Sequence, residues 1–436
     1  SRRGKQHMKK TDLYHEAFGV DQRLTDLSPV IEEKCRIVFE KIKQTAAYNQ
    51  SKVIHAMQKY RLSDTHFAGS TGYGYNDRGR EVLEQVYAEV FGAEDALVRH
   101  QITCGTHAIA LCLYGALQPG DELLSITGKP YDTIEEIIGI RGDKGTGSLK
   151  DYGITYKQIE LTENGAIDYE KVEQAILPNT KMVFIQRSRG YGWRDPIAVK
   201  DIEKAAIFLK QKKSDIIIMV DNCYGEFVED REPTEAGADL MAGSLIKNPG
   251  GGLALSGGYV AGRKDLVEKA AYRMTVPGLG KEVGATLGQN RSLFQGFFMA
   301  PHTVAESLKG AVFVSALMES LGFETCPNYS DKRSDIIQAI KFGNPEAVIA
   351  FCKGIQKGSP VDAFVTPEPW EMPGYDCPVI MACGAFVQGS SIELSADAPI
   401  KPPYTAYLQG GLVYEHVKLG VMCAAQELLE KGFLQL

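Results

Sequence analysis

The first part of the chain carries apolar and charged residues in a helical rhythm. Over residues 9–62, in stretches such as SPVIEEKCRIVFEKIKQ, apolar positions recur at helical spacing, and this predicts two helices before any strand. The glycine-rich segment HFAGSTGYGYNDRGR predicts a loop, and EVLEQVYAEVFGAE after it predicts an amphipathic helix. We interpret residues 1–75 as an N-terminal helical arm followed by an interface loop.

From residue 96 to about 262 the pattern changes to short apolar runs separated by helical stretches. The runs ALVRHQI, ELLSI, GITYKQI, KMVFIQRS, IIIMVDN and LALSGGYVAG predict strands. The stretches THAIALCLYGAL, DYEKVEQAI and VKDIEKAAIFLKQKK predict helices between them. This alternation predicts an α/β fold with a mainly parallel central sheet, whose ligands bind at the carboxyl ends of the strands.

After about residue 310 the pattern shifts again, to a smaller α+β region that ends in the helical stretch LVYEHVKLGVMCAAQELLEKG. The 436 residues also exceed the roughly 250–300 at which a single core stops growing. We therefore predict a large domain over residues 76–310 and a small C-terminal domain over residues 311–436.

Composition excludes several classes of function. The net charge is −7 and no basic stripe stands out, which argues against binding to nucleic acid or an anionic membrane. No apolar run reaches the roughly 20 residues of a membrane helix. The nine cysteines contain no CxxC pair and no clustered histidine, so we expect neither disulfides nor a metal site, and a reducing cytoplasm as the location.

Three sites in the α/β region carry candidate chemistry. Asp221 ends the apolar run IIIMV, and Gly105 and Thr106 lie at a strand-to-helix turn whose backbone N–H groups suit a phosphate. Lys247 follows apolar residues and precedes Pro249, so its amine is expected to enter a cleft and act as a nucleophile. Taken singly, a capping Asp and a snorkelling or salt-bridged surface lysine are the favoured interpretations, and a plain helix N-cap at Thr106 is at least as good as a phosphate site.

The order of these three sites matches the needs of one cofactor. Pyridoxal phosphate requires an anion site for its phosphate, a carboxylate for its ring nitrogen and a lysine amine for its aldehyde. With TCGTHAI, GKPYDT, VDNCYGEF and SLIKNPGGG, the sequence resembles the fold type I pyridoxal-phosphate enzymes of the Cys/Met-metabolism group, which includes cystathionine lyases and methionine gamma-lyase. STGYGYNDRGREVLE and SLIKNPGGGLALSGGYVAGR are most similar to the branch called aluminium resistance protein.

The resemblance assigns roles to individual residues. It implies that Lys247 forms the Schiff base with pyridoxal 5'-phosphate and that Asp221 binds the pyridinium nitrogen. It implies that the backbone of Gly105 and Thr106, together with the hydroxyl of Ser244, binds the phosphate. The large domain is then expected to have the aspartate aminotransferase architecture of fold type I.

The resemblance also implies a shared active site. Tyr131, in GKPYDT, occupies the position of an aromatic residue that stacks on the cofactor and can move protons. Tyr73, Tyr75 and Arg78 belong to the loop that in the family reaches the phosphate of a neighbouring subunit, although a tyrosine stands where the family has an arginine. We expect a homodimer with shared active sites, pairing into a homotetramer.

Two departures from the family concern the substrate and the phosphate. Ile246 stands where relatives often have a phosphate-binding threonine, and Glu393 stands near the arginine that binds the substrate carboxylate. Arg187, Arg189 and Arg194 follow a predicted strand end and are candidate substitute receptors for that carboxylate, of which at most one or two are expected to serve. A plain surface charge is the equally weighted alternative for each of them.

The expected function is therefore that of a carbon–sulfur lyase, which eliminates a β- or γ-substituent from a sulfur-containing amino acid. The cofactor also permits aldol cleavage and transamination, and these reactions are the first alternative. A pyridoxal-phosphate-binding stress protein without turnover is the second.

Overall fold

The computed structural model describes residues 12–373 and 375–436. Residues 1–11 of the predicted N-terminal arm lie outside the described residues. The helices are α1 Asp12–Phe18, α2 Gln22–Lys59, α3 Arg78–Val90, α4 Gly105–Ala116, α5 Asp132–Ile138, α6 Tyr169–Ala175, α7 Val199–Lys212, α8 Lys264–Met274, α9 Asn290–Ser320, α10 Pro345–Lys357 and α11 Tyr414–Glu430. The strands are β1 Asp95–Arg99, β2 Glu122–Ser125, β3 Thr155–Gln158, β4 Thr180–Gln186, β5 Ile217–Asp221, β6 Leu240–Ser244, β7 Gly258–Gly262, β8 Glu324–Cys326, β9 Gln338–Lys341, β10 Val379–Cys383, β11 Ser395–Pro399 and β12 Thr405–Gln409.

The chain forms two compact units. The larger unit comprises Gln44–Ala305 and the short segment Arg333–Ile336. The smaller unit comprises the described residues of Ser1–Lys43, Glu306–Lys332 and Ile337–Leu436. Residues 1–75, which were predicted to form one arm with its loop, are thus divided between the two units.

The larger unit is built on a seven-stranded sheet with the order β1-β7-β6-β5-β4-β2-β3. The neighbours from β6 to β3 run parallel, and β7 is antiparallel to both β6 and β1. The predicted α/β fold with a mainly parallel sheet is confirmed. All five residues of β5 are buried, which explains why parallel strands have continuous apolar sequences instead of alternating ones.

The smaller unit contains a five-stranded antiparallel sheet with the order β10-β11-β12-β9-β8. Helices α10 and α11 pack together, and α10 packs on this sheet. Their apolar faces form a core that includes Phe351, Leu394 and Val421. The expected small α+β region is therefore present. Among the described residues, no helix combines the length and the apolar character needed to cross a membrane.

Candidate active site at the carboxyl edge of the sheet

The central parallel strands of the larger unit end side by side. Asp221, the last residue of β5, pairs in register with Gln186 of β4 and with Ala242 of β6. The Asp221 carboxylate is buried and accepts a hydrogen bond from the backbone N–H of Cys223 at 3.1 Å. Burial raises the pKa of Asp221, and both this N–H and the nearby Lys247 oppose the rise. Asp221 therefore lies at the edge where open α/β sheets bind their ligands.

Lys247 follows β6 and directly precedes a 3-10 turn, Asn248–Gly250. Its side chain is half-buried, and Nζ lies 4.2 Å from the centroid of the Tyr224 ring. Burial lowers the pKa of Lys247, but the surrounding Cys223, Tyr224 and Asp221 outweigh burial and raise it above the ordinary lysine value. The amine is consequently an ammonium group at neutral pH.

Glycines after Lys247 let this turn pack tightly against the rest of the unit. A Cβ on Gly250 would overlap the carbonyl oxygen of Leu245, and a Cβ on Gly251 would overlap that of Gly296 in α9. Gly251 also has a φ of 56°, which lies in the left-handed region. The turn that follows Lys247 is thus fixed by close backbone contacts within its own chain.

The N-terminus of α4 lies beside the end of β6. Cys104 is the N-cap, and among the described residues no acceptor binds the backbone N–H groups of Gly105 and Thr106. A Cβ on Gly105 would lie 3.2 Å from both the Cβ of Ser244 and the Sγ of Cys223. This arrangement joins two donor N–H groups, the positive end of a helix dipole and a nearby serine, which together suit an anion.

Tyr131 is held at the same edge by the strand that ends next to Asp221. Its backbone N–H donates to Gln186 Oε1 at 2.6 Å, and its half-buried ring lies 6.5 Å from the Tyr191 ring. In the helix that follows, the Thr133 hydroxyl is hydrogen-bonded to the Thr106 hydroxyl at 2.7 Å. The bond between the two threonines brings the N-termini of α4 and α5 together.

The predicted interface loop presents its aromatic residues to solvent. Tyr73 and Tyr75 are 73% and 59% exposed, and their rings stack with centroids 5.4 Å apart. Arg78 is exposed at the first residue of α3. The loop itself is anchored by Arg80, whose Nη1 donates to the carbonyl of Gly74 at 2.7 Å. The roles of these side chains at a neighbouring subunit stay predictions.

Arg187, which was predicted to bind substrate, lies in the protein interior. Its side chain has no exposed surface, and Nη2 donates to Glu229 Oε2 at 2.7 Å. Nη1 donates to Asn222 Oδ1 at 2.9 Å and lies 3.9 Å from Glu232 Oε1. The guanidinium is already paired with buried groups, which speaks against the predicted role and in favour of a structural one.

Arg194 is clamped by backbone carbonyl groups after β4. Its Nη2 donates to the carbonyls of Gln186 and Ser188 at 3.2 and 2.8 Å, and Nη1 donates to that of Asp195 at 2.9 Å. Burial lowers the pKa of Arg194 to about 10, so the side chain still carries its charge at neutral pH. A substrate role for Arg194 stays a prediction.

The short segment Arg333–Ile336 supports the third predicted arginine. The Arg189 side chain is enclosed, and its backbone N–H donates to Asp335 Oδ2 at 3.3 Å. The Ser188 hydroxyl donates to the same carboxylate oxygen at 2.9 Å. A role for Arg189 in substrate binding also stays a prediction. The two bonds to Asp335 come from the Ser188 hydroxyl and the Arg189 backbone, and they do not involve the Arg189 guanidinium group.

Glu393 belongs to the smaller unit. Its buried carboxylate accepts hydrogen bonds from the backbone N–H groups of Phe386 and Val387 at 2.7 and 2.9 Å. Glu393 therefore closes a local loop, and this bonding explains why a carboxylate is tolerated at a buried position.

Tyr224 was not identified from the sequence as a residue of the candidate site. Tyr224 adopts a φ of 69°, which is uncommon for a residue with a large side chain. Its ring faces the one lysine that was singled out from the sequence. The motif VDNCYGEF was the available signal, although nothing local in it predicts this conformation.

Comparisons with known proteins agree with this geometry. The methionine gamma-lyase family profile matches residues 24–429 of the chain. The uncharacterized protein YnbB of Bacillus subtilis (strain 168) is 54% identical over 397 residues, which cover 91% of this chain and 94% of that protein. The crystal structure of a carbon-sulfur lyase involved in aluminum resistance from Clostridium novyi NT has a TM-score of 0.93 and 48% identity, covering 97% of this chain and 100% of the other.

A more distant solved structure identifies the fold. The pyridoxal-5'-phosphate dependent protein YhfS from Escherichia coli is 18% identical with a TM-score of 0.60, and the likeness covers 89% of this chain and 97% of that protein. The predicted fold type I architecture is thereby confirmed. The family match spans both compact units and every predicted site residue, so this chain belongs to the methionine gamma-lyase family.

Proposed function

We propose that this protein is a pyridoxal 5'-phosphate-dependent carbon–sulfur lyase that acts on a sulfur-containing amino acid. The observation that carries the proposal is the grouping of Lys247, Asp221 and the N-terminus of α4 at one strand edge. The name of the family and that of the Clostridium novyi structure support the same type of reaction.

The residues at this edge fit the cofactor. The backbone N–H groups of Gly105 and Thr106, which bind no acceptor within the described part of the chain, and the buried Ser244 would hold its phosphate. The buried carboxylate of Asp221 would bind the ring nitrogen and favour its protonated form, since charges interact strongly where water is excluded. The half-buried Tyr131, whose backbone N–H donates to Gln186 at the same edge, would offer an aromatic face and a phenol.

When bound, the cofactor supplies an electron sink for the charge that develops on the substrate carbon. Lys247 Nζ would hold the cofactor aldehyde and, as a free amine, would accept the α-proton of the substrate. Lys247 or Tyr131 would then donate a proton to the departing group. Arg189 and Arg194 remain the candidate cations for the substrate carboxylate, because both follow the end of β4.

Turnover of defined amino acids tests the proposal. The purified holoprotein is incubated with cystathionine, methionine, cysteine and threonine, and thiol, ammonia, keto acid and aldehyde are measured. We expect thiol and keto acid from a sulfur substrate, and no thiol from Lys247→Ala. The exposed Lys264 of α8 provides a matched control, since Lys264→Ala should behave as the unaltered protein does.

The same assay contains the outcomes that contradict the proposal. Aldehyde from threonine without thiol from any sulfur substrate would favour an aldolase. Keto acid without thiol and without ammonia, formed only when a second keto acid is supplied to accept the amino group, would favour an aminotransferase. The absence of any product, together with an unchanged cofactor spectrum, would favour a binding protein without turnover.

We further propose a cytoplasmic homodimer, pairing into a tetramer, in which Tyr73, Tyr75 and Arg78 complete the site of the neighbouring subunit. The exposed and stacked tyrosines support this arrangement. Mixing Lys247→Ala with Arg78→Ala should restore activity that neither variant has alone, because each hybrid dimer regains one intact site. A mixture as inactive as its components would argue against a shared site.

A further inference from the structure

Tyr224 occupies a turn whose backbone is strained at two bulky residues. Its φ is 69° and that of Phe227 is 62°, both in the left-handed region that favours glycine. Such conformations cost free energy and persist only where the surrounding structure holds them. The position of Tyr224 is therefore imposed by its neighbours.

A buried network of hydrogen bonds beneath the turn holds Tyr224 and Phe227 in these conformations. Arg187 binds Asn222 Oδ1, and Asn222 Nδ2 donates to Glu232 Oε1 at 3.0 Å. The other oxygen of Glu232 accepts from the backbone N–H of Phe227 at 3.3 Å. Both ends of the turn are thus tied to the same internal network, and this network explains the buried position of Arg187.

A second set of bonds connects the turn to the loop that carries the lysine. Asn248, the neighbour of Lys247, is fully buried and donates from Nδ2 to the carbonyl of Glu226 at 2.9 Å. The Glu226 side chain in turn accepts from the Tyr259 hydroxyl at 2.9 Å. The bond between Asn248 and Glu226 therefore fixes the Tyr224 turn relative to the loop that carries Lys247.

The consequence is a defined contact between the lysine amine and an aromatic face. Lys247 Nζ lies 4.2 Å from the Tyr224 ring centroid, within the roughly 6 Å over which a ring attracts a cation. Asp221 and Cys223 are the other titratable groups that act on this amine. Tyr224 differs from these two groups because it presents an aromatic face to the amine.

We propose that the Tyr224 ring docks the ammonium group of Lys247 and keeps it charged and in place until the cofactor binds. The inference rests on the proposed function, because it concerns the lysine assigned to the cofactor aldehyde. Condensation with an aldehyde needs the neutral amine: the ammonium releases a proton to solvent, the nitrogen bonds to the aldehyde carbon, and water leaves. Tyr224 therefore sets the pH above which Lys247 reacts.

The test measures the reactivity of Lys247 instead of turnover. The full chain, freed of cofactor, is exposed briefly to pyridoxal 5'-phosphate at a series of pH values, reduced with borohydride, and mapped by mass spectrometry at Lys247. Tyr224→Leu should move the pH of half-maximal labelling down by roughly 0.5–1.5 units, because the ring no longer favours the cation. Tyr224→Phe keeps the ring and loses only the hydroxyl, so it should move the profile by clearly less than Tyr224→Leu does. Tyr152→Leu, at an exposed position, should leave the profile unchanged.

The outcomes separate this inference from the proposed function. An unchanged profile in Tyr224→Leu overturns the docking role. An equally large shift in Tyr224→Phe and Tyr224→Leu also overturns it. The hydrogen bond of the Tyr224 hydroxyl also raises the pKa of Lys247, and equal shifts would mean that this bond, and not the ring, favours the ammonium group. Unaltered protein that takes no label at Lys247 refutes the proposed function itself.

Folding of the leucine variant is checked by circular dichroism. If it does not fold, fluorinated phenylalanines at position 224 provide an isosteric series with progressively weaker cation binding. A shift that grows with the number of fluorine atoms supports the ring contact with Lys247, and equal profiles across the series overturn it.

Discussion

Replacing Arg187 tests whether this residue is an internal anchor. Arg187→Met keeps the length of the side chain but leaves Glu229 and Glu232 buried beside an apolar group. In the native protein Arg187 lies 2.7 Å from Glu229 and 3.9 Å from Glu232, with no exposed surface. Removing one partner of a buried ion pair costs about 3–5 kcal/mol, so we expect the free energy of unfolding of the larger unit to fall by that amount.

Urea unfolding followed by tryptophan fluorescence measures the loss. Arg231→Met is the matched control: Arg231 pairs with Glu203 at 2.6 Å, but both side chains are about two-fifths exposed. An exposed pair contributes about 1 kcal/mol at most, so the control should remain near the unaltered protein. If Arg187→Met is no less stable than this control, Arg187 is not an internal anchor.

The pH dependence of the same loss provides a second check. Burial raises the pKa of Glu232 to about 7 even though Arg187 opposes the rise, and removing Arg187 raises it further. A carboxyl group whose pKa is higher in the folded state than in the unfolded state makes stability fall as pH rises. The deficit of Arg187→Met should therefore be larger at pH 8 than at pH 5, and equal deficits would contradict this reasoning.

Three further predictions concern the cofactor site and the interface loop. Gly105→Val should weaken retention of pyridoxal 5'-phosphate roughly tenfold or more, measured by dialysis, because Ser244 already lies 3.2 Å from a Cβ at that position. Asp221→Asn should still bind the cofactor but lose turnover by at least about 100-fold. Asp77→Asn should cost about 1 kcal/mol at pH 7 in urea unfolding, because the amide replaces a carboxylate oxygen that accepts a hydrogen bond from Thr286, and it should cost less near pH 4. Burial raises the pKa of Asp77, but hydrogen bonds from Thr286 and others lower it below its ordinary value, so its stabilisation is lost on acidification.

Much of the fold follows from apolar patterning. Helix α7 was predicted over 199–213 and spans Val199–Lys212, and strand β5 was predicted over 216–222 and spans Ile217–Asp221. Strand β6 was missed, because Leu240–Ser244 is rich in small residues and has little β propensity. The strand predicted over 253–262 begins only at Gly258, and residues 253–257 form a turn and irregular structure after the Lys247 loop.

The sequence allowed us to predict site residues whose type and neighbours in the chain indicate their chemistry. It did not allow us to predict the roles of residues whose hydrogen-bond partners are distant in the chain. Lys247 and Asp221 stand out beside apolar runs, and they act on each other's pKa in the structure. Arg187 was expected to open onto the cleft, but its partners Asn222 and Glu229 lie 35 and 42 positions away in the chain. The conformation of Tyr224 depends on the same remote network, which no local pattern encodes.

The most direct test of the account is the position of the cofactor linkage. The holoprotein is reduced with borohydride, digested, and its peptides are mapped for the pyridoxyl group by mass spectrometry. The account predicts that the label lies on Lys247, and that Lys247→Ala takes none while Lys264→Ala is labelled normally. A label on a different lysine of the unaltered protein, or no label at all, would contradict the account.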